Sequence, residues 1–141
     1  MPLMALDVGS KRIGVALADP SGTFALPIAV LQRSNIRADL DAVAAIFKEY
    51  DVREVVVGDP LRLSGERGPA SENMDRFVER LSNVFTGTIH RVDERLTTAQ
   101  AQRSLIASDV SRRKRKTAVD KMAAALILET FLARRRNLTE E

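Results

Sequence analysis

Short apolar runs alternate with turn residues from the amino end onward. Leu3 to Leu6 gives way across Gly9-Ser10 to "GVALA" (Gly14 to Ala18), and across Pro20-Ser21-Gly22 to "FALPIAVL" (Phe24 to Leu31). Runs this short and this closely spaced predict a meander of three antiparallel strands. After Ser34-Asn35, a pair suited to an N-cap, Leu40, Val43, Ala44 and Phe47 recur at helical spacing and predict an amphipathic helix. "EVVVG" (Glu54 to Gly58) is a continuous β-branched run, the kind buried on both faces, and predicts a parallel central strand reached by a helical crossover.

Beyond a loop rich in Gly and Pro, Met74, Phe77, Val78 and Leu81 mark a second helix, and "TIHRV" (Thr88 to Val92) a fifth strand. A third helix is predicted over Thr97 to Ala107, where Thr97 and Gln100 fit a capping box. The last helix is expected from about Thr117 to about Arg135, on a stripe of Val119, Met122, Ala123, Leu126, Thr130 and Phe131. The charged segment Asp109 to Lys116 reads as an exposed loop. The predicted order is βββαβαβαα: an α/β fold whose mixed five-stranded sheet, three strands antiparallel and then two parallel, is flanked by helices. No repeat, linker or low-complexity tract divides it, and 141 residues suit a single domain over 1–141.

Composition narrows the function. Without cysteine, neither a disulfide framework nor a thiolate metal site can form. Aromatic residues, at 4%, are too scarce for base-stacking platforms. "MPLMALDVGS" has no basic leader, and no later segment approaches a membrane span, so a cytoplasmic protein with no membrane partner is the expectation. The net charge of +3 hides an asymmetry: residues 111–141 hold nine Lys and Arg against four Asp and Glu, whereas the first 110 residues hold 13 against 15. "SRRKRK" (Ser111 to Lys116) and "RRR" (Arg134 to Arg136) account for it. Such a concentration is the footprint expected for nucleic acid, although a single basic run can equally be a solvated face.

The acids follow the strands. Asp7, Asp59 and the pair Asp93-Glu94 each close an apolar run, and Asp120 is expected in the first turn of the final helix. Ligand sites in sheets with parallel central strands form beyond the carboxyl ends of those strands. Carboxylates converging there repel one another unless a cation joins them, and all-oxygen donors favour Mg²⁺ or Mn²⁺. Each acid also has a plain structural reading. Asp7 could bond the Val8-Gly9 turn, Asp59 could form the turn before Pro60, Asp93 and Glu94 could be solvated, and Thr117 with Asp120 matches a capping box. His90 lies within a predicted strand, where a structural role fits best, and one histidine cannot build a hydrolytic zinc cluster. No G-x-S-x-G elbow or Walker loop is present. "DVGSKRIGVAL" also resembles the first phosphate loop of actin-like and hexokinase ATPases, but those clasp ATP between two domains, and this chain has room for one.

Four segments in order, "LDVGSKRIGVALAD" (Leu6 to Asp19), "VVVGDPLRLSGERGP" (Val55 to Pro69), "VDERLTTAQA" (Val92 to Ala101) and "SRRKRKTAVDKMAAALILETFL" (Ser111 to Leu132), resemble the motifs of the YqgF, or RuvX, family of ribonuclease H-like proteins. The resemblance spans essentially the whole chain. It implies a ribonuclease H-like fold and a metal-dependent nuclease that hydrolyses phosphodiester bonds, with processing of the 5′ end of precursor 16S rRNA as the leading substrate. Resolution of a four-way DNA junction is the alternative, which would call for a dimer, and a non-catalytic RNA-binding maturation factor is a further one. By position, the family's acids fall on Asp7, Glu94 and Asp120, which would hold one or two Mg²⁺ or Mn²⁺. Its basic positions fall on Lys11, Arg12 and Arg95, joined by Arg112, Arg113, Lys114, Arg115 and Lys116 as contacts to the nucleic-acid backbone. Asp59 departs from the family's usual apolar residue between this Gly and Pro: it is either an extra ligand or a harmless substitution.

Overall fold

The computed structural model describes residues 2–60, 66–93 and 112–140, with the side chains of the last segment described over 122–136. Among them lie five strands, β1 (Leu3–Val8), β2 (Arg12–Ala18), β3 (Ala25–Gln32), β4 (Glu54–Asp59) and β5 (Thr88–Asp93), and three helices, α1 (Ile36–Glu49), α2 (Pro69–Leu81) and α3 (Arg112–Glu140). The strands form one sheet in the order β3-β2-β1-β4-β5. β1–β2 and β2–β3 are antiparallel, and β1–β4 and β4–β5 are parallel, the mixed sheet that the run lengths predict. The helix expected over Thr97 to Ala107 lies outside the described residues.

Alternation along the strands divides the core in two. Met4, Leu6, Ile13, Val15, Val55 and Val57 face a layer with Leu40, Val43 and Phe47 of α1 and Met74, Phe77 and Leu81 of α2. Leu3, Ala5, Ala16, Val56 and Val92 face Ala124, Ala125, Ile127, Leu128 and Leu132 of α3. Alanines on α3 let its backbone approach the sheet closely, and each fully buried Val or Leu contributes roughly 1.5–3 kcal/mol from its removal from water.

The helix ends obey local rules. Asn35 caps α1 as expected, its side-chain oxygen accepting from the Ala38 N–H at 2.9 Å. α2 begins with Pro69 directly after Gly68, where the missing N–H costs nothing. α3 differs from expectation, because it starts at Arg112 and the run Arg112 to Lys116 is helix rather than loop. Arg and Lys are strong helix formers, and no Gly or Pro interrupts 112–140. Asp120 is therefore well inside the helix and not in its first turn. Thr117 and Asp120 are no capping box, since the N–H groups there already belong to helical turns. No helix among the described residues is long and apolar enough to cross a membrane.

Candidate active site

Asp7 stands one residue from the end of β1, half-buried, on the face of the sheet that α3 covers, because it shares parity with Leu3 and Ala5. Its cross-strand partner on β2 is Gly14. On the other side, β1 pairs with β4 through Leu6 and Val57, so the next position on β4 and on the same face is Gly58, which is buried. The two strands flanking Asp7 thus place no side chain beside it on that face. An alanine at either position would put a methyl group on that face beside Asp7. A carboxylate at the carboxyl end of the central strands, flanked across both strands by glycines, is an oxygen donor suited to a hard cation. The sequence pattern singles out Asp7; the part played by Gly14 and Gly58 appears only from strand register.

Asp59 behaves otherwise. It shares parity with Val55 and Val57 and so faces α1 and α2, across the sheet from Asp7. There the Ser71 hydroxyl, itself fully buried on α2, donates to its Oδ1 at 3.3 Å, and Arg67 Nη1 and Arg91 Nη2 lie 3.4 and 3.3 Å from its oxygens. Both arginines also pair with Asp75 on α2. Arg91 first, and Arg67 with it, hold the Asp75 carboxyl below its ordinary range by hydrogen bonding to the charged form. Two acids and two cations thereby join β4, β5, α2 and the loop before it. Asp59 is a member of this ionic lattice and stands apart from Asp7. Asp93 is half-buried at the end of β5, in register with Asp59.

The remaining sequence candidates are placed as follows. Lys11 is exposed in the β1–β2 turn and Arg12 opens β2, half-buried, so both cations lie within five residues of Asp7. The turn closes through the Gly9 N–H, which donates to the Arg12 carbonyl at 2.8 Å. Glu94 and Arg95 lie outside the described residues. For Asp120 and for Arg112, Arg113, Lys114, Arg115 and Lys116 the structure gives the helical backbone of α3 alone, with position 120 one turn ahead of Ala124, which packs against the sheet. No group of three or more His, Asp or Glu able to hold a metal ion occurs among the described residues.

At the other end of the sheet, His90 is structural, as expected. Its Nε2 lies 3.3 Å from Glu54 Oε1, and its ring lies 4.7 Å from that of Phe131. Arg135 of α3 grips Glu54 with two hydrogen bonds of 2.9 Å and stacks over Phe131.

The family model described as "RuvX: Holliday junction resolvase" matches residues 1–134. The chain belongs to the RuvX family. A protein of Thermoanaerobacter pseudethanolicus named "Putative pre-16S rRNA nuclease" is 45% identical over 138 residues, covering 97% of this chain and 99% of its own length. A relative of the same name from Koribacter versatilis is 43% identical over 94% of this chain and 87% of its own length. Among solved structures, Thermus thermophilus RuvC in complex with a Holliday junction substrate superposes with a TM-score of 0.59 over 96% of each chain, at 14% identity. The fowlpox virus Holliday junction resolvase gives 0.54 at 15% identity, over 94% of this chain and 99% of the resolvase. The RuvX chain therefore has the ribonuclease H-like fold of these resolvases, in keeping with the order of its elements.

Proposed function

We propose that this RuvX-family chain is a divalent-metal-dependent endonuclease whose substrate is the 5′ region of precursor 16S rRNA. The observation that carries the reading is Asp7, set between Gly14 and Gly58 at the carboxyl end of the central strands. The names of its relatives supply the substrate class, and the element order and fold agree with a resolvase-type nuclease. Asp7, with Glu94 and Asp120 by motif position, would hold one or two Mg²⁺ or Mn²⁺. Bound there, such ions supply an activated water and offset the negative charge that grows at phosphorus and on the departing 3′ oxygen. Asp59 is left out of this set, because its charge is spent on Arg67 and Arg91 on the opposite face.

The chain's own cations do the holding. Lys11 on the turn and Arg12 at the start of β2 follow Asp7 within five residues, and Arg95 and the run Arg112 to Lys116 would supply further positive charge for the phosphodiester backbone. Binding through such contacts weakens steeply as salt rises, because each phosphate neutralised releases counterions. A four-way DNA junction is the second reading, favoured by the family description and by the fold shared with RuvC. One assay decides between them: the purified protein with Mn²⁺, Mg²⁺ or chelator is offered a precursor 16S rRNA 5′ leader and a four-way DNA junction side by side. Metal-dependent cleavage of the leader, abolished by Asp7→Asn, is expected. Cleavage of the junction alone favours resolution. Binding without metal-dependent cleavage of either, or full-rate cleavage by Asp7→Asn, overturns the nuclease assignment.

A further inference from the structure

One arginine outside every motif of the sequence reaches the turn that carries Lys11. Arg33 follows β3, and its main-chain N–H donates to the Lys11 carbonyl at 2.9 Å. Its side chain reaches the same turn from a second direction, Nη1 donating to the Gly9 carbonyl at 2.8 Å. The opposite edge of the guanidinium is fixed by Asp39 in the first turn of α1: Nε donates to Asp39 Oδ2 at 3.0 Å, and the other carboxylate oxygen accepts the Ser34 N–H at 3.0 Å. Asp39 is a buried carboxylate, with a side chain only 4% exposed, and removing one partner of such a buried pair is costly. The guanidinium also lies 5.7 Å from the centre of the Phe77 ring on α2.

Arg33 is thus held by Asp39 of α1, which the Ser34 N–H fixes in turn, lies over Phe77 of α2, and directs Nη1 to the turn. Asp7 needs no such help, because the ladder to Gly14 fixes its backbone. The turn beyond it, from Gly9 to Lys11, lies outside that ladder and is tied to the body of the protein through Arg33. We propose that Arg33, anchored by Asp39, is a positioning residue that holds the Gly9–Lys11 turn so that Lys11 meets a phosphodiester backbone already in place. A planar guanidinium can bridge a carbonyl and a carboxylate at once, whereas the single ammonium of lysine cannot hold both in this geometry. The gain is preorganisation: nucleic acid need not order the turn on arrival. This role rests on the nuclease reading above, and it adds to that reading a residue outside the four motif segments.

The test separates the two. In the full-length protein carrying Asp7→Asn, so that substrate is bound and not cut, Arg33→Lys is compared with Arg33→Met/Asp39→Asn, which removes both charges of the pair together and guards against misfolding. Hydrogen exchange of the Gly9 amide, measured without nucleic acid, is expected to quicken about tenfold in both variants while the β1 and β4 amides keep their protection. Affinity for a labelled precursor 16S rRNA 5′ leader, measured at fixed salt, is expected to fall about tenfold, and that loss is expected to vanish when Lys11→Ala is already present, since coupled residues are not additive. Unchanged Gly9 exchange overturns the proposal, as does an affinity loss that persists undiminished beside Lys11→Ala. If the protein with native Arg33 binds neither the leader nor a four-way junction, the nuclease reading fails, and the exchange result still decides whether Arg33 holds the turn.

Discussion

Asp7 and Asp59 look alike in the sequence and are opposites in the structure. Each closes an apolar run, each is followed within two residues by a turn-former, and each reaches the carboxyl end of a central strand. Strand parity parts them. Asp7 shares a face with Leu3 and Ala5 and lies between two glycines under α3, whereas Asp59 shares a face with Val55 and Val57 and meets Ser71, Arg67 and Arg91. The period of two along a strand converts one step of register into opposite surroundings: glycines on the strands beside the carboxylate on one face, arginines and a serine against it on the other. An acid at a strand end becomes a candidate ligand only when its face and its neighbours are known.

The contrast can be broken most forcefully at the glycines. Gly58→Ala places a methyl group beside Asp7 without touching its charge, and Gly14→Ala does the same from β2. Each is expected to raise the Mn²⁺ concentration needed for half-maximal cleavage about tenfold, equivalent to about 1.4 kcal/mol, with the protein still folded. An unchanged metal requirement in both variants would mean that the two glycines are incidental to metal binding.

A third acid sharpens the contrast with a smaller effect. Glu54 lies on the same face as Asp7 but at the other end of β4, and α3 brings Arg135 to it. Hydrogen bonds from Arg135, and then from His90, hold its carboxyl down to about 2 from an ordinary 4.5. A depressed carboxyl stabilises the fold above its unfolded value and loses that contribution as pH falls, here between about 4.5 and about 2. Because Arg135 is two-fifths exposed, solvent screening reduces the contribution to about 1–2 kcal/mol. Glu54→Gln is therefore expected to lower stability by that amount at pH 7, measured by urea unfolding, and to converge with the parent near the acid limit, with cleavage at pH 7 unaltered. A gap that persists undiminished in acid would show that the pair's charge is not the source.

Much of this was legible before any coordinates. Run length and turn spacing foretold all five strands, and the Ser34-Asn35 signal foretold α1 with its cap. His90 falls in the strand where the sequence puts it. α3 starts earlier than polarity suggests, because a dense basic run resembles a loop although its residues are good helix formers. What stayed hidden depends on contacts between residues far apart in sequence. Arg33 reaches Gly9, Arg91 reaches Asp59, and Gly58 lies beside Asp7 only once β4 has docked in register on β1. Glu94 and Arg95 rest on their motif alone, as does the side-chain role of Asp120.

The central claim is that Asp7 is part of a metal site and Asp59 is not. Calorimetric titration of Mn²⁺ into the parent protein, Asp7→Asn and Asp59→Asn tests it directly. One or two Mn²⁺ are expected on the parent, with affinity at least about tenfold weaker in Asp7→Asn and Asp59→Asn within about twofold of the parent, as follows when only one of the two carboxylates is a ligand. Loss of Mn²⁺ binding in Asp59→Asn with retention in Asp7→Asn would contradict it.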